Sequence, residues 1–329
     1  MKDKKKIIII LGSIILVGIL AFILVTKVFN KTPNDSPNKE EKSKEEITPL
    51  MYEVTKNDSN NKIYLFGSIH VANLNEFNFP KYVMDAYNNS KYIACEFDIV
   101  EYEKDTDRQM SDVMNMAYTD GTTIKDHLSK DTYERIVKFL TEKNLYTSIY
   151  DVYKPYFFQS LITMALTSDA KINANTGIDN YFLKQAKKDN KNILEVETSD
   201  FQMNLLLGFS DSLYELILQE SINDYNEEVE NLKKLYSYWK LGDIDKLLEI
   251  SDDDIEVKDN YTKEQIKEIN DYNKKLIDDR NIGMTNKLIE YFNNNYDTFY
   301  MVGTLHLIGD KGIAKQLEAK GFTVKQVNK

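Results

Sequence analysis

The sequence predicts an α/β fold: a central mixed or mostly parallel sheet flanked by helices, preceded by one N-terminal transmembrane helix. Three observations predict it. Four short apolar runs, Ile63–Phe66, Tyr92–Cys95, Ile193–Val196 and Phe299–Val302, each close on a turn former or an acid, as buried strands do. Long stretches with helical spacing of apolar residues separate the runs, which is the alternation of α/β proteins. A single uncharged apolar run, Ile7 to Thr26, is long enough as a helix to cross a bilayer core of about 30 Å.

Taken in order, residues 1–30 read as a signal-anchor. Lys2, Lys4, Lys5 and Lys6 precede the apolar run, with Lys27 and Lys31 after it. The positive-inside rule then leaves the N-terminus in the cytoplasm. A single-pass protein of the cell membrane follows, with its C-terminal domain extracellular. Cleavage as a signal peptide is the competing reading, but the run is long for one and no clear small-x-small site follows it. Residues 31–49 are polar, contain Pro33 and Pro37, and lack apolar periodicity. They read as a disordered linker reaching about 20–25 Å from the membrane. Residues 50–329 form the α/β domain.

The spacing predicts a helix from Pro80 to Asn89 and another capped by Asp131, with Glu134 completing the box. It also predicts a buried helix over 155–168, a short one over 179–188, and an amphipathic helix over 211–239. Thr262 and Gln265 open a long helix towards Phe292, and a last strand runs from Phe322 to Val327. The acidic stretch 251–261 reads as a solvated turn, because its Asp spacing and missing glycine do not suit a calcium loop.

Charge narrows the function. Net charge is −11. Residues 1–49 hold nine Lys and six acids, which leaves 33 basic against 47 acidic residues in the domain. Such a surface repels phosphate backbones, so nucleic acid is not expected as a partner. Cys95 is the sole cysteine, so neither an internal disulfide nor a Cys-based zinc cluster can form. Its strand position beside Glu96 predicts inert core.

The chemistry collects at strand ends, where open α/β sheets bind ligands. The first and last runs share one pattern, Gly67-Ser68-Ile69-His70 and Gly303-Thr304-Leu305-His306, and two of the three histidines fall in it. Glu96 follows the second run and Glu197 the third. Gly67 and Gly303 would let the backbone turn tightly and approach a ligand. Two imidazoles and a carboxylate suit a divalent metal, Zn, Mn or Co, with positions left for water and a carbonyl. Glu197 could then carry the proton. The same residues also suit a metal-free site, in which one His is the base on water or a serine, oriented by Glu96. Arg280 suits a carboxylate or an oxyanion, or equally a salt bridge to a nearby acid. His127 lies in a polar stretch and is expected at the surface.

From Tyr52 to Val327 the chain resembles the TraB/GumN family, which includes the Tiki-type membrane-anchored proteases. The carriers are Gly67-Ser68-Ile69-His70-Val71, Glu96, Lys154-Pro155, Gly177-Ile178-Asp179, Leu194-Glu195-Val196-Glu197-Thr198, Trp239 with Gly242-Asp243, Arg280-Asn281 with Met284, and Gly303-Thr304-Leu305-His306. The resemblance implies one α/β domain related to erythromycin-esterase-like hydrolases. His70, Glu96 and His306 would be metal ligands. Glu197, Arg280 and Asn281 would be catalytic, the last two steadying an oxyanion or a substrate carboxylate. Gly67, Ser68, Gly303, Thr304 and Asp179 would line the substrate site. The expected activity is a metal-dependent hydrolase of peptides or exposed protein ends. A metal-free esterase of a small molecule and a non-catalytic peptide-sequestering protein remain as alternatives.

Overall fold

The computed structural model describes residues 44–57, 59–174, 176–251 and 261–327. The expected transmembrane helix, most of the linker and most of the acidic stretch lie outside the described residues. Among the described residues, no helix is long and apolar enough to cross a membrane.

The fold is α/β, built on a six-stranded mixed sheet. Two strands, β1 (Glu45–Glu46) and β4 (Phe77–Asn78), pair separately. The main sheet comprises β2 (Met51–Thr55), β3 (Ile63–Ser68), β5 (Tyr92–Cys95), β6 (Asn192–Glu195), β7 (Thr298–Gly303) and β8 (Thr323–Gln326), in the order β6-β5-β7-β3-β2-β8. The four strands expected from the apolar runs are the four parallel neighbours β3, β7, β5 and β6. Their register sets Ser68 against Gly303 and Cys95 against Glu195. The ends of all four therefore fall on one edge, and β2 joins antiparallel between β3 and β8.

Helices cover the sheet because its inner strands are apolar on both faces; every residue of β7 is buried. Phe66, Phe299, Phe182 and Tyr87 pack ring to ring and seat the Ile178–Lys188 helix on the sheet. Burying each such side chain contributes about 1.5–3 kcal/mol. The Pro155–Ala170 helix is buried nearly all round, and its Ser160 and Thr163 hydroxyls are satisfied by donating to the carbonyls of Tyr156 and Gln159 one turn back.

Several boundaries differ from the sequence reading, each for a local reason. The structured unit begins before residue 50. Ile47 and Leu50 are buried, Thr48 N–H donates to Lys240 O, and a side chain at Gly242 (φ +59°) would collide with Thr48 O. The 44–49 end of the expected linker is thus packed on the Tyr225–Leu241 helix. The 211–239 stretch is two helices, Asp211–Asn223 and Tyr225–Leu241, broken where Asp224 adopts φ −105°, ψ 19°. Ser129, not Asp131, caps the Lys130–Glu142 helix, its hydroxyl accepting from Thr132 N–H. The Thr262/Gln265 capping box is present.

Candidate active site

The four strand ends deliver one buried polar cluster. Its two imidazoles flank Glu96, and Arg280 lies among Glu96, Glu197 and His306.

His70 sits just past β3. Its Nδ1–H donates to Asp179 Oδ2 at 2.8 Å, and its Nε2 lies 3.9 Å from Glu96 Oε1. Asp179 reaches it because the Ile178–Lys188 helix begins against the turn: Ile178 N–H donates to Ile69 O. That approach needs Gly177, since a Cβ there would stand 2.5 Å from His70 O. Burial opposes charge on His70, but the charge and hydrogen bond of Asp179, with Glu96 beyond, win and raise its pKa above the ordinary imidazole value.

His306 follows β7 in the second copy of the motif, with other neighbours. Its Nδ1–H donates to Asn281 Oδ1 at 2.6 Å. The Asn281 amide is fixed in that sense because its Nδ2 donates to Lys311 O. His306 Nε2 then accepts from Arg280 Nη1 at 3.1 Å. Burial, followed by the Arg280 charge, pushes its pKa down to about 3, so it is a neutral acceptor.

Glu96 is 4% exposed. Its Oε1 accepts from Gly303 N–H at 2.9 Å, and its Oε2 from Arg280 Nη2 at 2.6 Å and Gln202 Nε2 at 3.0 Å. Burial alone would raise its pKa; Arg280, both histidines and the Gly303 amide hold it far below the usual carboxylate range. Glu197 receives Arg280 Nε at 2.9 Å and Nη2 at 2.8 Å, and also Gln202 Nε2 at 2.9 Å.

Arg280 is 2% exposed, and all five of its N–H groups are engaged. The fifth goes to Leu276 O at 3.2 Å. That carbonyl belongs to a π turn, Lys274–Asp278, in which Asp279 N–H reaches back five residues to Lys274 O. The extra residue loosens the local ladder, as π turns at functional sites do, and the guanidinium uses the carbonyl it offers. Both readings of Arg280 from sequence thus meet in one place: it is a salt bridge, and it lies inside the candidate site.

The remaining expected residues fall around this cluster. Thr304 Oγ1 donates to Ser68 O and stands where a Cβ on Gly67 would have to go. Trp239 Nε1–H donates to Gly67 O. Ser68 Oγ is buried without a hydrogen-bond partner. Asp179 and Asn281, expected to meet substrate, each spend an oxygen on orienting a histidine. Cys95 is buried, and burial followed by nearby acids pushes its thiol well up, as expected of inert core. His127 is less exposed than expected, held by Asp211 Oδ2 at 2.7 Å and stacked on Tyr118. Its partners, Thr122, Asp211 and Tyr118, are not those of the cluster. Gln202 was missed by the sequence reading. Only its position five residues after Glu197, one turn into the Ser199–Leu207 helix, could have pointed to it.

The donor set can be tested against a divalent metal. Two imidazoles and carboxylates are the right chemistry, and His70 is oriented by a carboxylate as ligating histidines are. However, both Glu96 oxygens and His306 Nε2 are already occupied by Arg280, Gln202 and Gly303. Among the described residues, no group of three or more His, Cys, Asp or Glu side chains is arranged to hold a metal ion. As packed, the guanidinium takes up the acceptors a metal would need, and the residues do not fit one unless Arg280 withdraws.

A family model, the TraB/PrgY/gumN family, matches residues 50–326, and the chain belongs to that family. No curated protein matches the chain, and no solved structure does.

Proposed function

We propose that the protein is a membrane-tethered, extracytoplasmic hydrolase of peptides or exposed protein ends, with water activated at His70. The observation that carries this reading is the His70–Asp179 pair: Nδ1–H is committed to the carboxylate, which directs the Nε2 lone pair to the side where Glu96 lies. Membership of the TraB/PrgY/gumN family and the collection of four strand ends at one site support it.

His70 Nε2 takes a proton from water as the water oxygen attacks the substrate carbonyl, and returns it to the leaving amine. Asp179 holds the ring in the required tautomer and favours the imidazolium that forms. Glu96, fixed by Gly303 N–H, adds negative charge beside that imidazolium. His306 stays neutral and gives Arg280 its one uncharged side-chain partner. Exchanging that partner for a substrate carbonyl oxygen costs Arg280 less than leaving a glutamate, so this N–H is the donor for the developing oxyanion.

A second reading uses a divalent ion, Zn, Mn or Co, and the carboxylate-oriented His70 favours it. It requires Arg280 to leave His306 and Glu96 and keep only Glu197.

The full-length chain in detergent micelles, incubated with a mixed peptide library and read by mass spectrometry, tests both. The parent is expected to release new peptide ends, and His70→Ala to lose on the order of 100-fold or more in rate. An unchanged library overturns the hydrolase reading and leaves a peptide-binding role. Equal cleavage by His70→Ala overturns the assignment of the base. Activity abolished by a chelator and restored by one added metal decides for the second reading.

A further inference from the structure

Gln202 lies outside every motif of the sequence, yet it is 2% exposed and its side-chain nitrogen touches both acids of the site. It donates to Glu96 Oε2 at 3.0 Å and to Glu197 Oε2 at 2.9 Å. Arg280 Nη2 donates to the same two oxygens at 2.6 and 2.8 Å. Two buried carboxylate oxygens therefore share two bridging nitrogens, one charged and one neutral. The amide must present its NH2 here, because its oxygen would face two acceptors.

We infer that Gln202 is a positioning residue: it holds Glu96 and Glu197 together so that Arg280 can turn a donor to the substrate without the two acids separating. This rests on the hydrolase reading above. Two buried like charges repel, and without donors between them one takes a proton or swings away. Every N–H of Arg280 is already spent, so any contact with substrate loosens its grip on something. The neutral bridge stays in place when that happens. Its placement is local: Thr198 caps the Ser199–Leu207 helix by accepting from Phe201 N–H, and the first turn carries Gln202 back over the end of β6.

The test uses the full-length protein and the library peptide that the parent cleaves best. Gln202→Met keeps the length of the side chain and removes both donors. Its kcat is expected to fall about 10–100-fold with KM within about twofold, since substrate does not touch residue 202. Gln202→Glu keeps the shape and donates only when protonated. Its deficit against the parent at the same pH is expected to shrink as pH falls towards 5, although both lose rate there as His70 takes up its proton. A kcat for Gln202→Met within twofold of the parent overturns the inference, as does a loss appearing only in KM.

Thermal melting gives a measurement independent of activity. The shifts in Tm from Gln202→Met and Glu197→Met are expected not to add in the double variant, because each removes the same contact. Additive shifts overturn the inference. If the parent cleaves nothing, the hydrolase reading has failed by itself, and the melting cycle still decides whether Gln202 holds the pair. If Gln202→Met does not fold, Gln202→Glu at pH 5 and pH 8 takes its place in the cycle.

Discussion

The two Gly-x-x-His turns have the same sequence pattern, the same strand-end position and opposite electrostatics. His70 faces Asp179 and Glu96 and is made more basic. His306 faces Asn281 and Arg280 and is held neutral, with its pKa down to about 3. A motif fixes where an imidazole stands, while the partner on its other nitrogen decides what it can do. In this protein a carboxylate on one helix and an amide on another divide a repeated motif into a more basic imidazole and a neutral acceptor.

The strongest way to break the comparison is to remove the charge that separates the two sides. Arg280→Leu leaves Glu96 and Glu197 buried without their cation, and a loss of about 3–5 kcal/mol in stability is expected by chemical denaturation. Substantially smaller damage would mean that Arg280 does not hold the cluster. Next comes Asp179→Asn, which keeps the shape and removes the negative charge that faces His70. The rate is expected to fall about 100-fold. The pH profile sharpens this. A base with a raised pKa is idle while protonated, so parent activity rises with pH through a value above 6.5, and in Asp179→Asn that limb moves down. For stability the sign is the reverse: the charged His70 pairing is present in full below 6.5 and is lost as pH rises through the folded value.

His306 predicts a slope of the other sense. Between about 3 and 6.5 the unfolded chain protonates this ring and the native state does not, so stability falls as pH falls, by up to about 1.4 kcal/mol per pH unit. The slope is expected to shrink in His306→Gln, measured by denaturation at pH 4, 5 and 6. Glu96 adds to the same trend, because its lowered pKa gives stability that is lost as pH falls below the usual carboxylate range. The smallest effect is expected from Cys95. Cys95→Ala should shift stability by about 1 kcal/mol or less and leave the rate within twofold, since beyond packing the thiol makes one weak hydrogen bond, to Leu194 O at 3.7 Å.

The difference between the turns also marks how far the sequence could be read. Apolar strands ending in a polar residue announce themselves, so β3, β5, β6 and β7 and the edge that carries His70, Glu96, Glu197 and His306 were legible. The Gly177-Ile178-Asp179 and Arg280-Asn281 blocks were legible through family resemblance, but their roles were not. Whether Asp179 meets a substrate or a histidine depends on how one helix start seats against a turn 109 residues away in the chain. Gln202 was illegible because a polar residue in a helix looks alike whether it faces water or two buried acids. Strand β2 carries only two buried residues, Met51 and Val54, so its pattern was too weak to register. The break at Asp224 has no proline or glycine to mark it.

The π turn ahead of Arg280 carries a consequence for anyone who would copy this centre. One surplus residue in a helix rotates everything after it by about 100°. A graft of Arg280, Asn281 and Met284 onto an ideal straight helix would aim the guanidinium more than a quarter of a circle away from Glu96, even with every residue conserved. The irregularity is thus part of the blueprint, and a deletion as small as one residue between Lys274 and Asp278 should undo the centre while leaving its named residues intact.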